Sequence, residues 1–196
     1  MLSLALRATG LSLVLSLLLC FSLPSWAAAT AVDPELREAL KIAVNNNDSF
    51  DDKYEAEVWL LDVSTRLKRW MPDDKKRVEF LRILHSEAAR AGVQPELVLA
   101  VIQIESAFER FAISSVGAQG YMQVMPFWKK EIGRPSDNLM HEQTNLRYGC
   151  TILRHYLNKE KDDFIRALAR YNGSLGRTKY PEKVLLAWER HWFVQY

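Results

Sequence analysis

The residues Leu97-Val98-Leu99-Ala100-Val101-Ile102-Gln103-Ile104 carry one polar side chain in eight, so no helical or alternating register gives them a wet face. A surface helix would show an apolar stripe about 100° wide and a charged back, so this pattern predicts a helix buried on all sides. Gln94-Pro95-Glu96 opens it, with proline at a position where its missing N–H costs nothing.

The segments around it are one-sided. Residues 36–44 continue from an Asp33-Pro34-Glu35 start and stop at Asn45-Asn46-Asn47-Asp48. Residues 51–70 place Trp59, Val63, Leu67 and Trp70 on one face before Met71-Pro72 ends the helix. Asp73-Asp74 caps a helix through Ala91, with Val78, Leu81, Leu84 and Ala88 inward and Gly92 as its stop. A short helix over 127–132 stops at Gly133, and a polar turn with Pro135 follows. Residues 144–158 carry a stripe of Leu146, Cys150, Leu153 and Leu157, with Gly149 in mid-helix suggesting close packing on a neighbour. Asp162-Asp163 caps residues 164–171, which Asn172-Gly173 terminates, and Pro181 opens a last helix bearing Val184, Leu185, Trp188 and Trp192. No strand signal is strong enough to assign. The expectation is a mostly all-α domain built on one deep helix, its tryptophans serving packing.

Composition changes this picture little. Of 196 residues, 48% are hydrophobic and 26% charged, which excludes disordered and collagen-like classes. A net charge of +2 without a long Lys/Arg block argues against nucleic acid as a partner, while a weakly basic surface suits an anionic polymer such as a cell wall.

The first residues point to a compartment. Arg7, an apolar run over 11–23, and Pro24-Ser25-Trp26-Ala27-Ala28-Ala29 read as a cleaved secretory signal over residues 1–29. A retained anchor is the weaker alternative, because the run is short for a membrane span. Cys20 follows three leucines, where a lipid-attachment cysteine normally follows a small residue, so it belongs to the signal. Cleavage leaves Cys150 without a disulfide partner, as a small buried apolar residue. The expectations are a periplasmic or secreted protein, no membrane span after cleavage, a helical extension over 30–74, and a catalytic domain over 75–196.

Most catalytic chemistries lack their residues. His85, His141, His155 and His191 are scattered, with no HExxH and no CxxC, so no metal is expected. Gly117 and Gly120 do not follow a strand and no P-loop is present, so no phosphate or dinucleotide cofactor is expected either. No GxSxG elbow supports a serine nucleophile.

A carboxylate remains. Glu105 arrives at the end of the buried helix, where desolvation and the partial negative charge of the last carbonyls both raise its pKa, as a general acid requires. A glutamate ending an apolar helix commonly faces solvent; the sequence after this one favours a site. Ser114, Ser115, Gly117, Gly120 and Gln123 combine flexibility with short hydrogen-bonding groups, and Tyr121, Met122, Val124 and Met125 add apolar contact, a mix suited to a cleft for a sugar. Glu109, Glu131 and Glu142 read as solvated surface charges.

At these residues the chain resembles the catalytic domain of the soluble lytic transglycosylases, bacterial enzymes that cut the glycan strands of peptidoglycan on a lysozyme-like fold. Glu105-Ser106, Phe108, Ala112, Ser114, Gly117-Ala118, Gly120, Met122-Gln123 and Met125-Pro126 stand at the family's spacing. Asn145-Leu146-Arg147-Tyr148-Gly149 and Ala167-Leu168-Ala169-Arg170-Tyr171-Asn172-Gly173 follow in the family's order. The resemblance implies a lysozyme-like helical domain with a cleft beside the central helix. It makes Glu105 the acid/base, Ser114, Gln123 and Met125 residues that hold sugars, and Tyr171 with Asn172 the pair facing the glutamate. By periodicity alone Tyr171 would be core. Two departures stand out: Tyr121 where the family usually has Leu, and Gly173-Ser174 where it has Ala-Gly, which changes the cleft wall beyond Asn172.

The implied reaction uses one glutamate twice, first protonating the glycosidic oxygen and then accepting the proton of the muramoyl C6 hydroxyl as a 1,6-anhydro ring closes. Peptidoglycan strands are the implied partner, with no cofactor. A hydrolytic, goose-type lysozyme activity and a non-catalytic wall-binding protein are the alternatives.

Overall fold

In the computed structural model, which describes residues 37–38 and 52–193, the apolar run has no exposed face: Leu97 through Ile102 are each at most 1% exposed. The helices are α1 (Lys53–Leu67), α2 (Asp74–Ala91), α3 (Pro95–Ser106), α4 (Trp128–Ile132), α5 (Glu142–Lys159), α6 (Phe164–Tyr171) and α7 (Lys179–Ala187). A wide π-type turn, Trp188–Trp192, follows α7. Helix α3 packs against α2, α7 and the π-type turn, while α5 lies between α2 and α6. Strand pairing among the described residues is limited to two isolated antiparallel bridges, Ile113 with Gln119 and Gln119 with Val124. The signal reading over 1–29 and the helix expected over 36–44 lie outside the described residues, apart from helical backbone at 37–38.

The element order follows the hydrophobic pattern, and the boundaries move where side chains compete with propensity. Helix α1 ends at Leu67 rather than Trp70. Arg77, fully buried, explains why: it donates to Ser64 Oγ (2.8 Å), to the Met71 carbonyl (2.7 Å), to the Pro72 carbonyl (3.1 Å) and to Asp74. Those carbonyls need no helical partner, and Trp70 turns into an aromatic cluster with Phe108 (5.1 Å) and Trp192 (5.4 Å). Helix α5 begins two residues before Thr144, at Glu142, whose carboxylate accepts from Tyr121 Oη at 3.3 Å. Pro181 lies inside the first turn of α7 rather than before it, a position where no intrahelical donor is needed. Beyond α7 the backbone widens as Trp192 Nε1 donates to Gln103 Oε1 at 2.8 Å and the indole is fully buried.

The loop after α3 is held by α5. Asn145, 1% exposed, accepts from the Met122 N–H (2.8 Å) and donates to the Gln119 and Leu139 carbonyls (2.8 Å each). Three loop groups that would otherwise be buried without partners are thereby satisfied. Gly120 sits under this amide with φ +74°, and a Cβ there would stand 2.8 Å from the Leu139 carbonyl oxygen. Tyr121, Met122 and Val124 are buried in the core, so the expected cleft contact from these three is instead packing: Tyr121 lies on Phe80 at 4.9 Å, and Met122 fills the groove above Gly149.

Helix propensity alone predicts that Gly149→Ala stabilises the protein by up to about 1 kcal/mol. A Cβ at this position would lie 2.7 Å from Met122 Cβ, so overpacking dominates and the variant is expected to lose about 1–3 kcal/mol. Urea denaturation decides the sign.

Candidate active site

Glu105 is the second-last residue of α3, and the chain leaves the helix within one turn of it. Ala107 caps the helix with φ 49° and Phe108 follows at φ 65°, two successive left-handed residues without the freedom of glycine. The strain is held by packing. Phe108, 5% exposed, is wedged among Trp70 (5.1 Å), Trp192 (5.6 Å) and Phe80 (6.2 Å). Ser106 Oγ donates to the Tyr121 carbonyl at 2.8 Å and joins the helix end to the loop.

The carboxylate stands between two cavities. One, of about 350 Å³, is lined by Glu105, Asn172, Ser174, Arg177, Lys179, Tyr180 and Lys183, with Ile104 at its base. The other, about 660 Å³, includes Glu105, Glu109, Phe111, Ile113, Ser114 and Gln123 among its lining residues. Phe111 and Ile113 are 69% and 66% exposed, so this side offers apolar surface beside polar groups, as a sugar requires. The two cavities and the carboxylate between them form a cleft along the end of α3.

Burial raises the pKa of Glu105 from 4.5 to about 7, opposed by the hydrogen bond that Tyr180 Oη donates to its Oε1 at 2.6 Å. The dominant cause is the desolvation expected from the apolar helix. Near neutral pH the acid and its conjugate base are both populated, so the group can give and then take a proton. The Tyr180 hydroxyl, buried beside Glu105, has its pKa pushed well above the ordinary tyrosine value and remains a donor.

Ser114 Oγ accepts from the Ala118 N–H at 3.0 Å and its carbonyl accepts from Gly117 at 2.9 Å, so Ser114 shapes the turn that carries it. Gln123, at φ 47°, donates to the Gly120 (2.9 Å) and Ala112 (3.2 Å) carbonyls and lines the larger cavity. Asn172 lines the smaller cavity, and Met125, half-buried, lines neither. Tyr171 is close enough for Glu105 to raise its pKa, after burial, but its hydroxyl donates to the Met122 carbonyl at 2.8 Å. The tyrosine on the carboxylate is Tyr180, which sequence reasoning missed; its only signal was its place just before Pro181 in the last helix. Glu109 is exposed, as expected, although it lines the larger cavity, and Glu142 is not the solvated charge expected but partly buried beneath Tyr121. Among the described residues no three His, Cys, Asp or Glu side chains converge as a metal site requires, and no helix is long and apolar enough to cross a membrane.

A family model described as the transglycosylase SLT domain matches residues 83–184, just over half of the chain. The membrane-bound lytic murein transglycosylase C of Yersinia pestis is 30% identical over 119 residues, covering 53% of this chain and 33% of that protein. The protein of the same name from Photorhabdus laumondii is 29% identical over 119 residues with the same coverage, 53% and 33%. The chain thus spans about a third of the length of these curated relatives. Among solved structures, the 70 kDa soluble lytic transglycosylase of Escherichia coli aligns at 22% identity and TM-score 0.45, covering 79% of this chain and 26% of that one. An inactive mutant of the lytic transglycosylase Slt from Pseudomonas aeruginosa aligns at 21% identity and TM-score 0.45, over 78% and 26%.

The raised pKa links this site to stability. The folded protein holds the Glu105 proton more tightly than the unfolded chain, so stability falls as pH rises from about 4.5 through about 7. The full loss is about 3 kcal/mol. Glu105→Gln is expected to remove this dependence and to melt higher than wild type at pH 8, measured by thermal unfolding across pH. Tyr180→Phe removes the hydrogen bond that opposes the shift, so the Glu105 carboxyl, followed by carbon NMR, should titrate at higher pH than in wild type.

Proposed function

The chain belongs to the transglycosylase SLT domain family, and from that premise we propose that it is a lytic transglycosylase of peptidoglycan, with residues 75–196 as its catalytic unit. The observation that carries the reading is Glu105: a carboxyl with pKa about 7, between two cavities and bonded by a tyrosine hydroxyl. Relatives named as lytic murein transglycosylases support the substrate class.

In this reading protonated Glu105 transfers its proton to the oxygen joining N-acetylmuramic acid to N-acetylglucosamine, and the bond from that oxygen to the muramoyl C1 breaks. The carboxylate so formed accepts the proton of the C6 hydroxyl, whose oxygen bonds to C1 and closes a 1,6-anhydro ring. No water enters, and the proton that Glu105 gave is returned. An intramolecular hydroxyl has the advantage of proximity over a diffusing nucleophile. Tyr180 donates to one carboxyl oxygen in either protonation state, which leaves the other oxygen to handle the travelling proton. Ser114, Gln123 and the exposed Phe111 and Ile113 of the larger cavity hold sugars on one side of the broken bond, and Asn172 holds them on the other. Tyr171 fixes the loop through the Met122 carbonyl.

We place the protein in the bacterial cell envelope, periplasmic or secreted. The reading of residues 1–29 as a signal supports this, as do relatives named as membrane-bound murein enzymes.

Purified sacculi digested with the protein should release muropeptides lighter by one water than hydrolytic products, by mass spectrometry. Products carrying that water would make the enzyme a lysozyme. Glu105→Gln should lower the rate by about 100-fold or more, the scale of a lost general acid. Equal turnover by this variant would remove Glu105 from the chemistry, whereas Glu109→Gln should retain activity under the transglycosylase mechanism.

A further inference from the structure

The wall beyond Asn172, where the chain departs from the family pattern, is basic. Arg177, Lys179 and Lys183 line the smaller cavity beside Glu105, and none forms an ion pair among the described residues. Glu105, the acidic residue among the lining side chains, is not their partner. Its pKa is raised by burial and opposed only by Tyr180, with no cation contributing. No salt bridge among the described residues joins any of the three to Glu105 or to another carboxylate.

The backbone that carries them is held in place. Gly173 and Gly176 adopt φ +71° and +86°, and between them Ser174 donates its N–H to the Ala169 carbonyl at 2.7 Å and accepts from Arg177 at 2.9 Å. Side chains other than glycine rarely adopt these φ values, so the glycines let the chain turn sharply enough to bring Arg177 and Lys179 to the rim. Ser174 Oγ is buried in this wall and has no hydrogen-bond partner. Three exposed cations without ion-pair partners on the lining of one cavity form a surface suited to a ligand that supplies anionic acceptors.

From this arrangement we propose that Arg177, Lys179 and Lys183 form a carboxylate-binding wall that selects glycan strands by the anionic substituent on their muramoyl residues. The proposal rests on the peptidoglycan reading of the cleft and names what the substrate must carry. Two sources offer the same chemistry: the carboxylates of the peptide attached through the lactyl group, and the lactyl carboxylate exposed where that peptide is absent. A glycan of N-acetylglucosamine alone carries neither.

The test compares three preparations of the same strands: peptide-bearing, stripped of peptide by an amidase, and peptide-bearing with every carboxylate converted to its amide. Wild type is expected to show a KM about five- to tenfold higher on amidated strands than on the better of the two anionic ones, the scale of paired charges on a partly exposed surface. Which anionic preparation has the lower KM identifies the source. In Arg177→Gln/Lys183→Gln that ratio should fall to about one. These residues are exposed, so circular dichroism and the melting temperature should match wild type. A ratio equally large in the double variant, or a wild type indifferent to amidation, overturns the proposal. Co-sedimentation of Glu105→Gln with the three preparations separates the two readings. Carboxylate-dependent binding without wild-type turnover would sink the enzymatic reading alone, and turnover without carboxylate dependence would sink the wall alone.

Discussion

Water reaches no face of α3 from Leu97 to Ile102, and the rest of the site depends on that exclusion. The packing that buries Leu97 through Ile102 leaves the last turn only partly exposed, so Glu105 is dehydrated by the hydrophobic core itself rather than by a separate device. The cost is borne locally. A helix ending inside the domain must return its chain to the surface at once, and two left-handed non-glycine residues, Ala107 and Phe108, do so against a steric penalty. Phe108 is worth that penalty only because Trp70, Phe80 and Trp192 enclose it, which ties the segment after α1, α2 and the π-type turn to the geometry of one carboxylate.

The loop is fixed by a second constraint, the absence of regular structure in a stretch that is half buried. Its backbone groups need partners that neither a helix nor a sheet supplies. Asn145 satisfies two of them from α5 and ties them to the Leu139 carbonyl, Gln123 satisfies two carbonyls from within the loop, and Tyr171 satisfies the Met122 carbonyl from α6. Residues with the composition of ligand-binding groups are here partly occupied in holding the platform. A side-chain oxygen in a sequence does not reveal whether it faces a substrate or its own backbone.

That ambiguity marks the limit of what was legible in the sequence. Hydrophobic period located six of the seven described helices to within a few residues, because burial of an apolar stripe is a property of the pattern alone, and the Gly133 stop located the seventh, α4. The ends moved where a side-chain contact from outside the helix outweighed local preference, as with Arg77 for α1 and Tyr121 on Glu142 for α5. Glu105 was legible from the apolar run before it. Tyr180 was not, since a tyrosine in an amphipathic helix looks the same whether its hydroxyl meets water or a carboxylate 75 residues away. Tyr121, Met122 and Val124 read as cleft residues because the loop is polar overall, yet each is drawn inward by a partner on another element: Phe80, Gly149 and the Gln119 bridge.

The smaller cavity has to reconcile an acid that stays protonated near neutrality with a basic rim. At an effective dielectric constant of about 20, a cation 4 Å from a carboxylate is worth about 4 kcal/mol, or about three pKa units. One lysine or arginine at that distance from Glu105 would cancel the whole shift from 4.5 to about 7. The cations of the wall can therefore serve an anionic ligand only from across the cavity. The left-handed turns at Gly173 and Gly176 shape the segment that carries Arg177 and Lys179 on the cavity lining, while Tyr180, one residue further along, reaches the carboxylate with an uncharged donor. A neutral hydroxyl on the carboxylate and charges held at a distance let one short segment orient the acid and bind a charged substrate without discharging the proton the reaction needs.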